Sequence, residues 1–189
     1  MASSLRAESL FYHTTHVKHI PAILREGIQP IMGNSRQSIA QDLTAIAERH
    51  CIELPINRQK CVFLYQSLPL ATEFLWVPPN DQSALGSREG IVVVDASQLG
   101  GKLYVGDFSL FSDAIDFQYL DEPDETMLSE SYDGALRRYA KSLTPLKSFE
   151  STNEIHAAFD IPEVVVEDGI GPDLIVECVF LKTVRSGQN

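Results

Sequence analysis

Apolar residues along the chain fall into short runs and periodic stripes that predict its secondary structure. Runs of β-branched and aromatic residues predict extended segments at residues 10–15, 61–65, 91–96, 102–108, 162–168 and 174–184. Apolar positions at helical spacing predict helices over residues 17–26, 38–50, 67–76 and 132–143. Gly27 ends the first of these helices, and the acidic residues 121–131 are predicted to form a loop.

The order of these elements indicates an α+β fold. The strands do not alternate regularly with crossover helices, so a doubly wound parallel sheet is disfavoured. A split, mixed β-sheet core flanked by helices accounts better for the order. The length of 189 residues also falls within the usual range for one domain. We therefore predict a single domain that spans residues 1–189.

The charge balance argues against one class of partner. The net charge is −11, and no basic stripe runs along the chain. Proteins hold duplex DNA or long RNA mainly by neutralising phosphates with Lys and Arg, so non-specific binding to either is disfavoured. The densest basic group, formed by Arg137, Arg138 and Lys141, is interpreted as the solvated face of a helix.

The same sequence predicts a cytoplasmic protein without a membrane partner. No run of about 18 apolar residues is present, and the N-terminus has no apolar core of a signal peptide. Cys51, Cys61 and Cys178 are odd in number and form no CxxC pair, so we predict free thiols. Cys61 and Cys178 lie in apolar runs, which indicates buried side chains.

Common catalytic motifs are missing from the sequence. It contains no GxGxxG, no phosphate-binding GxxxxGK, no HExxH and no GxSxG. His13, His16 and His19 cluster near the N-terminus, but at most two of them can share a helix edge and no acidic or Cys partner is near. We therefore predict no metal site.

Three segments carry a family resemblance. Residues 12–15 read Y-H-T-T and residues 23–30 read I-L-R-E-G-I-Q-P, a combination that resembles the opening of the ADP-ribosyltransferase superfamily. Within that superfamily the segments most resemble three groups: the DarT-type DNA-thymidine ADP-ribosyltransferases, the rifampin-modifying enzymes and the RNA 2′-phosphotransferases. CVFLYQSLPLATEF resembles the second conserved block, and PEVVVEDGIGPDLIVE resembles the third. The resemblance implies an ADP-ribosyltransferase-like fold with NAD⁺ as co-substrate.

The resemblance also implies two catalytic residues. Glu163 matches the glutamate of the third block, which holds the ribose 2′-hydroxyl and stabilises the oxocarbenium-like transition state of nicotinamide release. Tyr65 matches the aromatic residue of the second block, which stacks on the nicotinamide ring. In this interpretation both side chains converge with His13 on one dinucleotide-sized cleft.

Further positions are implied to bind the cofactor. The imidazole of His13, at the end of the first strand, is expected to hydrogen-bond the adenosine ribose. An arginine is needed near the pyrophosphate, and the candidates are Arg36 and Arg58, which are both expected in connecting loops. The complete set of implied cofactor-binding residues is His13, Thr14, Thr15, Gly27, Arg36, Arg58 and Ser67.

The implied function is NAD⁺-dependent transfer of ADP-ribose to an unknown protein, nucleic-acid or small-molecule acceptor. Such an enzyme would act as a toxin or defence factor, with an antitoxin as a candidate partner. Departures from the family leave alternatives open. No basic constellation for an RNA phosphate is present, and a chain of charge −11 is poorly suited to accept DNA. The alternatives are a catalytically silent NAD⁺- or ADP-ribose-binding module, and an unrelated α+β interaction protein.

Overall fold

A computed structural model describes residues 10–30, 35–73, 89–99, 103–118 and 125–181. The chain forms two compact units. Unit 1 comprises the described residues within Met1–Ile28, Leu64–Leu99 and Ile170–Asn189. Unit 2 comprises those within Gln29–Phe63 and Gly100–Gly169. Strands and helices occur in both units, so the α+β prediction is confirmed.

Unit 1 contains an antiparallel sheet. Its strands are β1 (Leu10–His16), β3 (Glu89–Asp95), β7 (Ile175–Leu181) and the end of β2 (Cys61–Tyr65). They are arranged in the order β2-β1-β3-β7. Every residue of β1 pairs with β3, from Leu10 opposite Asp95 to His16 opposite Glu89. The continuous apolar run of β3 fits this sheet, because strands whose two faces are both covered carry apolar residues without alternation.

Two helices contact opposite faces of this sheet. Helix α1 (Ile20–Glu26) follows a 3-10 turn after β1, and its Ile20 lies against Gly90 of β3. Helix α3 (Leu68–Glu73) follows β2 and packs Ala71 with Tyr65 and Ile91. Ile91 and Gly90 are neighbours on one strand, and neighbouring side chains point to opposite faces. Helices α1 and α3 therefore cover different faces.

Unit 2 has a second group of antiparallel strands. These are β4 (Leu103–Asp107), β5 (Thr144–Pro145) and β6 (Pro162–Glu167), in the order β5-β4-β6-β2, where β2 contributes Cys61–Phe63. Four helices accompany them: α2 (Ser35–Arg49), α4 (Phe108–Gln118), α5 (Glu125–Ser142) and α6 (Thr152–Ala158). Val164, Val165 and Val166 are buried, so both faces of β6 are covered.

The helices of unit 2 bury the stripes that their apolar spacing predicts. In α2 the buried residues include Ile39, Leu43 and Ile46, as predicted for a helix over 38–50. In α5 they include Leu136 and Tyr139, which lie one turn apart. Burial of each apolar side chain contributes roughly 1.5–3 kcal/mol, so these stripes fix both helices on the unit.

Two details of the sequence-based prediction are wrong. The five strand pairs with a described register (β1–β2, β1–β3, β3–β7, β4–β5 and β4–β6) are all antiparallel, whereas a mixed sheet requires parallel pairs. Residues 121–131 were expected to be a loop, but α5 already begins at Glu125. The prediction of one domain over residues 1–189 stays a prediction.

The surface of α5 agrees with the sequence-based interpretation. Arg137, Arg138 and Lys141 are exposed, as expected for a solvated helix face. In the part of the chain that the structure describes, no helix has both the length and the apolar character needed to cross a membrane.

Candidate functional site

Unit 2 holds a buried ion pair between Arg58 and Glu163. The guanidinium donates to both carboxylate oxygens, with Nη1 2.5 Å from Oε2 and Nη2 3.2 Å from Oε1. The hydroxyl of Tyr139 donates to Oε2 at 3.2 Å and accepts a hydrogen bond from Arg58. The side chains of Arg58 and Glu163 are only 5% and 3% exposed. These three residues form what we call the Arg58 cluster.

Aromatic rings surround the guanidinium. Its central carbon lies 4.2 Å from the ring centroid of Phe63, 3.8 Å from that of Phe111 and 4.7 Å from that of Tyr139. Such contacts attract a cation to the ring face, most strongly when water is excluded. They also remove water from around the ion pair, which strengthens the attraction between its charges.

The surroundings keep Arg58 and Tyr139 in their protonated forms. Burial lowers the pKa of Arg58, but the Glu163 carboxylate and Tyr139 outweigh burial and raise it overall. Burial raises the pKa of Tyr139 well above its ordinary value, and this exceeds the lowering by Arg58. The guanidinium is therefore charged and the phenol is protonated, so both groups donate to the carboxylate.

Local sequence features place the members of the cluster. Arg58 begins a 3-10 turn before β2, whose start is capped by the Asn57 side chain through the backbone N–H of Gln59 at 3.1 Å. Glu163 lies in β6 directly opposite Gly106 of β4. A Cβ on Gly106 would lie 3.1 Å from the Tyr139 ring. Glycine thus gives the phenol room beside Glu163.

A carboxylate held in this way has a fixed direction and charge. Preorganised charges in a site with little water act strongly on any charge that develops near them, because no reorganisation is needed. Chemically, the carboxylate can stabilise a cation or accept a hydroxyl proton. A ligand can use it once it reaches an oxygen lone pair that Arg58 and Tyr139 leave open.

In unit 1, the motif residues of β1 lie within the strand. His13 pairs with Val92, Thr14 with Ile91 and Thr15 with Gly90. All three motif residues are half-buried. His13 was expected at the end of the first strand, but β1 continues to His16, so this placement is wrong.

His13 and Tyr65 lie on opposite faces of the unit 1 sheet. Tyr65 pairs with Tyr12 across the antiparallel ladder, and paired side chains share a face. Tyr12 also packs in the cluster of Tyr65, Ala71 and Ile91 beneath α3. His13 follows Tyr12 and therefore points to the other face. The structure does not bring His13 and Tyr65 together.

Gly27 and Ser67 have local structural roles. Gly27 caps α1 with φ +81° and donates to Ile23 at 2.8 Å, which confirms the predicted stop. Ser67 caps α3 as predicted, since its Oγ accepts from the N–H of Leu70 at 3.3 Å. A cofactor-binding role for either residue stays a prediction.

The two candidate arginines differ in their positions. Arg58 was expected in a connecting loop beside a pyrophosphate, but it lies in a buried 3-10 turn and contacts Glu163. Arg36 was also expected in a loop, but the backbone places it in the first turn of α2. Its side chain lies outside the described residues. The choice of pyrophosphate ligand stays open.

Two important residues of unit 2 escaped the sequence analysis. Tyr139 had only its helical spacing as a signal, which predicts burial but no partner. Asp107 accepts from the hydroxyl of Ser109 at 2.7 Å and from the backbone N–H groups of Ser109, Asp160 and Ile161. A D-x-S string before an apolar run is a helix-start signal, and it marks the start of α4.

Thiols and histidines add no further cluster to the described region. Cys51 is exposed, Cys61 is buried as predicted, and Cys178 is half-buried rather than buried. Burial raises the pKa of Cys61 to about 12, which makes it a poor nucleophile. No group of three His, Cys, Asp or Glu side chains that could hold a metal occurs among the described residues.

Comparison with known proteins gives no relative. No protein-family model, curated protein or solved structure matches this chain. The family resemblance consequently depends on the motif residues alone, and their geometry has to support any function.

Proposed function

We propose that this protein is an NAD⁺-dependent ADP-ribosyltransferase in which Glu163 is the catalytic carboxylate. The observation that carries the proposal is the contact between Arg58 and Glu163, which are 105 residues apart in the chain. The family resemblance implies a role for each residue separately. Glu163 matches the glutamate of the third conserved block, and Arg58 is one of the two candidate arginines for the pyrophosphate. Their contact in one buried cluster supports the proposal that both residues contribute to the same function.

The proposed reaction replaces one bond at the ribose C1′. The bond from C1′ to the nicotinamide nitrogen breaks, and its electron pair leaves with neutral nicotinamide. The acceptor nucleophile forms the new bond to C1′ and gives its proton to a base. Positive charge builds up on the ribose ring during this exchange, as in glycoside cleavage. A nearby carboxylate lowers the energy of that state.

Arg58 and Tyr139 are positioning residues in this proposal. The two-point contact with Arg58 fixes the plane of the carboxylate, and Tyr139 restrains one of its oxygens. The acceptor is a protein, a nucleic acid or a small molecule. In the role of a toxin or defence factor, the enzyme would have an antitoxin as its partner.

A second candidate function is a catalytically silent NAD⁺- or ADP-ribose-binding module. The burial of Glu163 favours this alternative, because a side chain 3% exposed does not meet a ribose unless the cluster opens. The separation of His13 and Tyr65 on two faces instead favours the remaining alternative, an unrelated α+β interaction protein. The transferase and the silent module both require binding of NAD⁺ or ADP-ribose, and only the transferase requires transfer.

Transfer from labelled NAD⁺ to separated protein, DNA and RNA fractions tests the proposal. Wild-type protein is expected to label one fraction and to release nicotinamide. Glu163→Gln is expected to reduce transfer by at least about 100-fold, because charge stabilisation of this kind is worth roughly 3–4 kcal/mol. Glu163→Asp keeps a charge for Arg58 and should also lose transfer, because the carboxylate is drawn back by one methylene.

Glu177→Gln is the matched control, since Glu177 is exposed on β7. It should leave transfer unchanged. Circular dichroism establishes that each variant is folded, and calorimetric titration with NAD⁺ and with ADP-ribose measures binding. Binding without transfer in wild-type protein would favour the silent module. Absence of both binding and nicotinamide release would contradict both functions.

A further inference from the structure

Gln66 carries a buried amide whose hydrogen-bonding groups are unused. Both Nε2 and Oε1 are shielded from solvent, and neither finds a hydrogen-bond partner among the described residues. The great majority of buried polar groups in proteins are paired. An unsatisfied buried group costs about 1–3 kcal/mol, so an amide at this position requires a reason.

The local fold does not need this amide. Gln66 lies between the last residue of β2 and Ser67, and Ser67 makes the turn into α3. The Ser67 hydroxyl accepts from Leu70 at 3.3 Å, and its carbonyl accepts from the N–H of Ala71 at 3.0 Å. An apolar side chain of similar size at position 66 would keep these bonds and avoid the cost.

Gln66 lies in a bend directly after β2, outside the strand itself. Tyr65, the last residue of β2, pairs with Tyr12 of β1. The amide therefore lies where the chain leaves the unit 1 sheet for α3, one residue beyond a direct pair with β1, the strand that also carries His13.

We propose that the Gln66 amide binds the ligand. It recognises a planar edge of the ligand that carries a hydrogen-bond donor beside an acceptor. This inference rests on the proposed function, because NAD⁺ carries two such edges. One is the carboxamide of nicotinamide, and the other is the amino group of adenine with its neighbouring ring nitrogen. Either edge satisfies both atoms of a glutamine amide in one two-point contact.

The test is calorimetric titration of wild-type protein and Gln66→Met with NAD⁺ and with ADP-ribose. Methionine keeps the length of the side chain and removes the amide. We expect Gln66→Met to weaken NAD⁺ binding about tenfold, the effect of a lost hydrogen bond of typical strength. Weaker binding of ADP-ribose as well identifies the adenine edge, and weaker binding of NAD⁺ alone identifies the carboxamide. Gln98→Met, at an exposed glutamine of unit 1, should change neither affinity.

A denaturation midpoint for the ligand-free proteins gives a second readout. Removal of an unsatisfied amide should leave the midpoint of Gln66→Met unchanged or higher. Gln66→Leu provides another folded apolar variant if methionine packs poorly. Unchanged affinities in a folded variant would overturn the inference and leave the proposed function intact. A wild-type protein that binds neither probe would overturn both.

Discussion

The Arg58 cluster illustrates how a single buried residue depends on its partners. Removal of two charges from water costs several kcal/mol per ion, and their attraction recovers this only with good geometry and further hydrogen bonds. Arg58 and Glu163 meet these conditions through two-point contact, the Tyr139 hydroxyl and three aromatic rings. The loss of one partner leaves the other charge buried alone.

We predict that Glu163→Gln and Arg58→Met each lower the free energy of unfolding by about 3–5 kcal/mol. The double variant Arg58→Met, Glu163→Gln should be destabilised less than either single variant, because no lone charge remains. Urea denaturation of the four proteins measures the coupling. Glu177→Gln, at an exposed position, should stay within about 0.5 kcal/mol of wild type. Losses that simply add would contradict the coupling.

Cys61 gives stability a dependence on pH. Burial raises the pKa of its thiol from 9.0 to about 12, so the folded protein keeps a proton that the unfolded chain loses. Stabilisation by the neutral thiol is therefore complete below pH 9 and is lost as pH rises from 9 towards 12. Between pH 8 and pH 11 we expect wild type to lose about 2–3 kcal/mol more than Cys61→Ala.

Denaturation curves at several pH values measure this difference. Cys51→Ala serves as the control, because Cys51 is exposed and its variant should follow the wild-type pH dependence. Parallel pH curves for wild type and Cys61→Ala would show that the thiol does not contribute.

At the scale of elements, the exit from α1 is fixed by backbone geometry. Gly27 ends the helix with φ +81°, a conformation open to glycine at little cost. Ile28 and Ile170 then exchange backbone hydrogen bonds of 2.9 Å in each direction. A Cβ on Gly27 would lie 2.0 Å from the Ile170 carbonyl oxygen, so no side chain fits there.

We expect Gly27→Ala to destabilise the protein by at least about 2 kcal/mol, through backbone strain and loss of the Ile28–Ile170 bridge. Gly134→Ala is the matched control. Gly134 lies within α5, and a Cβ there would make an ordinary contact at 3.7 Å. Its replacement should raise stability by roughly 0.5–1 kcal/mol. Thermal or urea unfolding measures both changes, and equal effects at the two glycines would refute the explanation.

Two helices that the sequence prediction missed, α4 and α6, carry capping signals at their starts. Helix α6 spans seven residues, too few to show a stripe. Its start does carry a recognisable signal, because Ser151 accepts from the N–H of Glu154 and the Glu154 side chain reaches back to the N–H of Glu150. Helix α4 is likewise marked by Asp107 and Ser109. Capping chemistry identifies the starts of both helices.

For the whole molecule, net charge sets which partners approach. A chain of net charge −11 repels polyanions. Its densest basic group, formed by Arg137, Arg138 and Lys141, lies exposed on α5, and the sequence around this group does not imply a wider basic surface. We predict no saturable binding to a 20-base-pair DNA duplex up to about 100 µM protein in physiological salt, where non-specific DNA-binding proteins bind well. Fluorescence anisotropy measures this. Binding that weakens steeply with added salt would refute it and favour a DNA acceptor.

The sequence by itself determined the α+β class, most strands, the stripes of α2 and α5, and the caps at Gly27 and Ser67. These features depend on residues within one or two turns, so local pattern suffices to predict them. It also singled out Glu163 and Arg58 without predicting that they touch.

Only the tertiary structure decided which side chains share a face or a partner. A shift of one residue in strand register moves every side chain to the other face, and no local pattern specifies the register between Tyr12 and Tyr65. That register separates His13 from Tyr65. The contact of Arg58 with Glu163 likewise joins residues 105 positions apart, which only the packing of strands and helices can bring together.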